Sequence, residues 1–204
     1  MKTTSLYGLV LMLLLASCAE NKKKIFVVNH GRATVNVDAK TVKVKDGTGN
    51  EDHEMTYDTK EKVSINVDVD GKTFVADAAE NGQYILNAKN DTLIGGVQTF
   101  GSKQDDNYFS QEMIEKRIDS FTNLISGKGI AADQFYITPF SVKKVADSAN
   151  VVIILPFHDK TAIEPDENGR IPKVLRFYTV NEIRGKIKNL VEYTKPTGKK
   201  AEKK

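Results

Sequence analysis

In the first half of the chain, apolar and polar residues alternate along short runs. Residues 33–39 alternate small or branched apolar residues with polar ones, and residues 63–69 repeat the pattern. A period of two is typical of a strand with one buried face. Asp70-Gly71 follows the second run, and this pair favours a two-residue hairpin turn. Short strands at this spacing predict an antiparallel β-sandwich-like module over residues 25–105.

Two further signals in this half concern turns and close packing. Asn90-Asp91 is predicted to join the apolar runs on either side of it in a second hairpin. Gly95-Gly96 predicts a bulge or a close approach of two backbones. The pattern as a whole, which contains no specific motif, is similar to that of immunoglobulin-like and carboxypeptidase-regulatory-like modules of envelope proteins. This resemblance implies a spacer or a docking surface.

Helical periodicity replaces the alternation after residue 105. Between residues 110 and 125, apolar residues recur every three or four positions, which predicts an amphipathic helix. Thr179 and Glu182 have the spacing of a capping box and predict the start of a second amphipathic helix. The run 151–155 is apolar on both faces and predicts a central, covered strand. Residues 106–194 are therefore predicted as a small α+β unit, and the whole chain as an α+β protein.

The first 18 residues follow another pattern. Lys2 precedes an apolar run over residues 6–16, which is too short to span a membrane as a helix of roughly 20 residues would. The small residues Ala16 and Ser17 then precede Cys18, the one cysteine of the chain. A charged start, a short apolar run and small residues are typical of a secretory signal peptide.

This arrangement resembles the lipobox of bacterial lipoproteins over residues 1–18. The resemblance implies removal of residues 1–17 as a signal peptide and attachment of lipid, palmitate included, to Cys18. Two or more acyl chains hold a protein stably at a membrane. Ala19 stands where an aspartate would resemble an inner-membrane retention signal. The resemblance therefore implies the outer membrane, with the periplasmic face favoured over the cell surface.

Charge and cysteine content limit the possible partners and bonds. The net charge is +3, close to neutral for 204 residues. A nucleic-acid-binding domain carries a concentrated basic face, so we predict no nucleic-acid partner. Lysines gather in residues 18–24, predicted as a lipidated linker, and in residues 195–204, predicted as a flexible basic tail. A single cysteine permits no intramolecular disulfide.

The loop at residues 46–52 carries the most suggestive side chains for metal binding. Its oxygen-bearing residues alternate, and calcium takes about six to eight oxygen ligands, but Glu51 and Tyr57 depart from the EF-hand pattern. A zinc site needs several histidines or cysteines around one point. We predict a solvated loop, with no metal site and no cofactor. The weak metal candidates are Asp46, Asn50, Asp52 and His53.

The other two histidines lie in segments that are interpreted as ordinary loops. His158-Asp159 follows the apolar run 151–155, and no partner nucleophile is evident. His30-Gly31-Arg32 could present a donor and a cation to an anion, and it also has the composition of a turn.

Sequence motifs of catalysis are missing. The chain has no G-x-S-x-G elbow, no H-E-x-x-H helix and no phosphate-binding glycine loop. We therefore predict a non-enzymatic envelope protein that contacts the membrane through its lipid and binds another envelope protein or a polymer. Two alternatives stay open: an envelope hydrolase that uses paired carboxylates, and a calcium-dependent adhesion module.

Overall fold

The computed structural model describes residues 21–45, 47–98, 111–158, 160, 162–165 and 169–194. This part of the chain is mostly β, with twelve strands in three four-stranded sheets, and it has two helices. The strands are β1 (Lys22–Asn29), β2 (Arg32–Asn36), β3 (Thr41–Lys45), β4 (Asp52–Asp58), β5 (Val63–Val69), β6 (Lys72–Ala78), β7 (Gly82–Ala88), β8 (Leu93–Gln98), β9 (Gln134–Ile137), β10 (Ser141–Ala146), β11 (Val152–Ile154) and β12 (Val174–Thr179). The helices are α1 (Gln111–Ile125) and α2 (Val180–Thr194).

Each sheet combines one parallel pair of strands with two antiparallel pairs. Sheet I has the order β10-β7-β1-β4, sheet II has β2-β3-β5-β6, and sheet III has β11-β12-β8-β9. The parallel pairs are β1 with β7, β3 with β5 and β11 with β12. The prediction of an antiparallel module was wrong in this respect. The chain crosses between sheets I and II after β1, β3, β4 and β6, so adjacent strands are often distant in sequence.

Sheet I lies between the other two sheets and contributes to two cores. Ile25, Val27 and Leu86 on one face belong to a buried cluster with residues of sheet II such as Ile65 and Val67. Residues of the opposite face belong to a second cluster with sheet III, which includes Val28, Ile85, Leu93, Leu175 and Phe177. The strand period of two explains how β1 and β7 supply both clusters.

The helices lie on the face of sheet III that points away from sheet I. Phe121 of α1 and Ile183 of α2 line one groove with Ile94 and Tyr178 of the sheet. Helix α1 has no buried residue, whereas α2 buries Ile183. The layers therefore follow one another as sheet II, sheet I, sheet III and helices.

The hairpin turn at Asp70-Gly71 and the N-terminal cap of α2 form as the sequence predicts. Strands β5 and β6 meet across Asp70-Gly71, whose φ angles of 50° and 83° are the left-handed values that this hairpin turn requires. Glu182 Oε2 accepts from the backbone N–H of Thr179 at 2.7 Å, and Thr179 Oγ1 accepts from that of Glu182 at 3.1 Å. This is the predicted capping box.

Two predictions about strand placement were wrong. Asn90-Asp91 does not close a hairpin, because β7 lies in sheet I and β8 pairs with β9 and β12 in sheet III. The run 151–155 forms only the short strand β11, at an edge of sheet III instead of its centre. The central position belongs to β12, whose residues are almost all buried.

The predicted boundaries also differ from the observed elements. Strand β1 begins at Lys22, so the end of the predicted linker 18–24 is part of sheet I. Strand β8 precedes residue 105 and joins sheet III, while β10 follows it and joins sheet I. The predicted units 25–105 and 106–194 therefore contribute strands to the same sheets, I and III.

Candidate functional site

The parallel strands β1 and β7 end side by side at one end of sheet I. His30 directly follows β1, and Lys89 directly follows β7. The turn after β11 and the start of α2 lie at the same end. Together they enclose a cleft of about 610 Å³, which we call the end cleft. Its lining residues are His30, Gly47, Lys89, Asn90, Asp91, Phe157, Thr179 and Asn181.

The ionisable groups in and beside the end cleft are held in pairs. The side chain of Lys89 is only 4% exposed, and its Nζ lies 3.3 Å from Asp91 Oδ1. His158 Nε2 and Asp52 Oδ2 are hydrogen-bonded to each other beside the cleft. Such pairing and hydrogen bonding offset the desolvation of charged groups. These described side chains are therefore held in defined orientations.

Asn87 fixes the loop that carries Lys89 and Asp91. Its side chain is buried, and Nδ2 donates to the carbonyl oxygens of Asp91 at 2.9 Å, Ile137 at 3.2 Å and Thr138 at 3.1 Å. One amide thus joins the loop after β7 to the segment between β9 and β10. A buried amide in several hydrogen bonds holds its neighbours in one arrangement.

Glu182 links the start of α2 to the turn after β11. Its Oε1 accepts a hydrogen bond from the backbone N–H of Phe157 at 2.8 Å, while Oε2 accepts the capping-box hydrogen bond from the N–H of Thr179. A carboxylate at a helix N-terminus is also favoured by the helix dipole. The position of Phe157 at the cleft is therefore coupled to the helix cap.

The structure brings together only some of the sequence-predicted site residues. Asp52 meets His158, which the sequence analysis treated as unrelated to it. His53 points to the other face of β4, where its Nε2 lies 3.4 Å from Glu51 Oε2, and Asn50 is exposed. Cys18, Asp46 and Asp159 lie outside the described residues. Among the residues described, no three His, Cys, Asp or Glu side chains are grouped closely enough to hold a metal ion.

Glu51 has a structural partner of its own. Its carboxylate accepts from the backbone N–H of Ala33 at 3.1 Å, and this bond is the main cause of the lowered pKa of Glu51. The pKa values of Asp77 and Asp147 are lowered chiefly by hydrogen bonds from Lys62 and Lys144. A general acid in glycoside hydrolysis needs a raised carboxyl pKa instead.

Sequence reasoning missed Lys89, Asn87 and Phe157. A single lysine or asparagine at a strand end carries no sequence signal, because its role depends on which strand lies beside it. Pro156 did carry a signal, because proline is common at the second position of a turn. The positive φ of Phe157 could not be predicted, because the identity of the residue does not indicate it.

A second concavity lies between sheet III and the helices. This groove of about 470 Å³ is lined by Arg117 and Phe121 of α1 and by Arg176 and Tyr178 of β12, among others. The Arg176 guanidinium lies 4.9 Å from the centre of the Tyr178 ring, and Lys186 Nζ lies 5.0 Å from it. Cations at such distances are attracted to the ring face. The Lys186 contact joins α2 to β12.

Within the described residues, neither helix is both long enough and apolar enough to cross a membrane. No protein-family model matches the chain, and neither a curated protein nor a solved structure is detectably similar to it.

Proposed function

We propose that the protein is a lipid-anchored, non-enzymatic binding protein of the bacterial envelope, and that the end cleft is its binding site. In this proposal sheets I and II form a β-sandwich, the helices place their apolar stripes towards sheet III, and the anchor is lipid on Cys18 in the outer membrane, with the protein on the periplasmic face. The observation that carries the proposal is that the end cleft lies at the end of β1 opposite to Lys22.

The end cleft lies at the C-terminal end of β1, whereas the proposed anchor, Cys18, precedes the N-terminal end of this strand in the sequence. The strand begins at Lys22, close after Cys18, and its last residue, Asn29, is followed by the cleft residue His30. Eight residues in a strand span about 23 Å at roughly 3.3 Å per residue. The length of β1 therefore separates the cleft from the point at which the chain leads to the proposed lipid.

The pairing of the charged groups supports binding over catalysis. Lys89 is held by Asp91, and Glu182 by two backbone N–H groups. Side chains fixed in this way can orient a ligand, whereas a nucleophile or a general base needs an activated group aimed at the reacting atom.

The anchor is tested by labelling cells with an alkynyl palmitate and separating membrane from soluble protein. We expect the wild type to be labelled and membrane-bound, and Cys18→Ala to lose the label and become soluble. A Cys18→Ala protein that keeps the label would contradict the anchor.

The binding site is tested by purifying the anchored protein from mildly solubilised envelopes with its bound material. Asn181→Arg places a long cation in the cleft, and we expect it to reduce the co-purified material at least tenfold. Asn189→Arg is the matched control, since both asparagines are exposed on α2 and only Asn181 lines the cleft. Equal retention by both variants would contradict the assignment of the cleft.

A further inference from the structure

Two turns beside the end cleft share the dipeptide Pro-Phe and the same unusual backbone. Phe140 has a φ of 54° and Phe157 a φ of 65°. In the turn that ends at His158, the backbone N–H of His158 donates to the carbonyl of Leu155 at 3.3 Å. Proline in the second position and positive φ in the third are features of a type II turn, in which the third residue is usually glycine or asparagine. Phenylalanine in this conformation strains the backbone.

Packing accounts for the strained conformation of Phe140. Its half-buried ring lies 6.1 Å from the ring of Phe74 in an edge-on arrangement, and Lys72 Nζ lies 3.7 Å from its centre. These contacts favour the native turn because they remove apolar surface from water.

Phe157 has no comparable compensation in the described part of the chain. The residue is 53% exposed, and its ring has one cation near it, Lys89 Nζ at 5.7 Å. The backbone bond to Glu182 holds the turn in place without burying the ring. Backbone strain that packing contacts do not offset is concentrated at functional sites. An exposed ring on the wall of a cleft points to contact with a ligand.

The polar groups around Phe157 restrict the chemistry of that ligand. Among the described residues, Lys89 Nζ lies beside Asp91 Oδ1 and Asp52 is hydrogen-bonded to His158, so these groups already have partners within the protein. Asn90 and Asn181 add amides, which both donate and accept hydrogen bonds. Hydroxyl groups do both as well. A ligand rich in hydroxyls with one apolar face matches a ring bordered by amides and paired ions.

We propose that the end cleft binds a neutral saccharide chain and that one sugar ring stacks on Phe157. This inference rests on the proposed function and names the class of its ligand. The C–H groups on one face of a sugar ring are attracted to the electron-rich face of an aromatic ring. The cleft, with a volume of about 610 Å³, has room for a sugar ring beside Phe157.

The test uses Phe157→Gly, with Phe140→Gly as the matched control. Binding is measured by affinity electrophoresis in gels that contain dextran, mannan, laminarin, xylan or galactan, and by calorimetry with chitotriose. We expect retardation of the wild type by at least one of these, and a loss of at least tenfold in affinity for Phe157→Gly. Its Tm should be unchanged or higher, because glycine relieves the strained φ. Phe157→Tyr keeps the ring and should keep the binding.

The control should behave in the opposite way. Phe140→Gly loses the packing on Phe74 and should lower the Tm by about 4–8 °C while it keeps most of the affinity. The inference is overturned if no probe retards the wild type, or if Phe157→Gly binds as tightly as the wild type. It is also overturned if the material co-purified from envelopes is a protein whose binding depends on Phe157. In all three cases the anchored binding protein itself stands, since Cys18→Ala and Asn181→Arg test it separately.

Discussion

The ammonium group of Lys23 lies at the buried start of β1, although three consecutive lysines begin this strand. Its Nζ donates to the carbonyl oxygen of Thr59 at 2.7 Å and to Asn81 Oδ1 at 3.1 Å, and the residue is 0% exposed. Lys22 is exposed, and Lys24 pairs with Glu54 at 2.8 Å. Lys23 therefore joins the start of β1 to the ends of two other segments of the chain.

Replacing Lys23 with alanine removes two charge-assisted hydrogen bonds and leaves their acceptors buried. We expect the free energy of unfolding to fall by about 2–3 kcal/mol, because hydrogen bonds to charged groups are worth more than neutral ones. Lys22→Ala should change it by less than about 0.5 kcal/mol, as exposed substitutions do. Urea denaturation of both variants measures the difference. Equal stability of the two variants would show that the hydrogen bonds of the buried Lys23 do not stabilise the folded protein.

At the scale of one element, β8 shows how a strand between two layers depends on residue size. Gly95 lies opposite Phe177 of the neighbouring strand β12. A Cβ at position 95 would overlap the ring of Phe177, which is 0% exposed. The adjacent Gly96 faces the helices, and a Cβ there would lie 3.7 Å from Gln134 Cγ, an ordinary contact. The sequence predicts a bulge or a close approach of two backbones at Gly95-Gly96, whereas the structure shows the backbone of Gly95 close to an aromatic ring.

Gly95→Ala should destabilise the protein by about 1–3 kcal/mol, because a well-packed core accommodates an added methyl group only by shifting its neighbours. Gly96→Ala should have little effect or stabilise the strand. Thermal unfolding of the two variants distinguishes them. A Gly95→Ala protein as stable as Gly96→Ala would mean that Phe177 has room to move.

Elements with a local sequence signal were predictable, and their partners were not. The Asp70-Gly71 turn, the two helices and the capping box at Thr179 depend on residues near one another in sequence. The pairing of β7 with β1 and β10 depends on contacts far apart in the chain, and alternation is the same whichever strand lies beside it. The end cleft could not be predicted for the same reason, since Lys89 and Asp52 acquire their neighbours only when sheet I forms.

At the scale of the whole molecule, the two halves of the chain depend on each other, because sheets I and III contain strands from both. Sheet I takes its edge strand β10 from the second half, and sheet III takes β8 from the first. The second core also joins Val28 and Ile85 of sheet I to Leu175 and Phe177 of sheet III. Neither half can therefore complete its sheets or cover its apolar surface alone.

A chain cut at residue 105 should consequently fail to fold. Without β10, sheet I has an uncovered edge at β7, and without β12 the apolar face around Val28 and Ile85 is exposed to water. We expect residues 19–105 to show no cooperative unfolding transition and little dispersion in amide NMR spectra. Residues 19–194 lack only the tail and should unfold in a single transition like residues 19–204. A cooperative transition in the shorter chain would show instead that sheets I and II form an independent domain and that β10 and sheet III are additions to it.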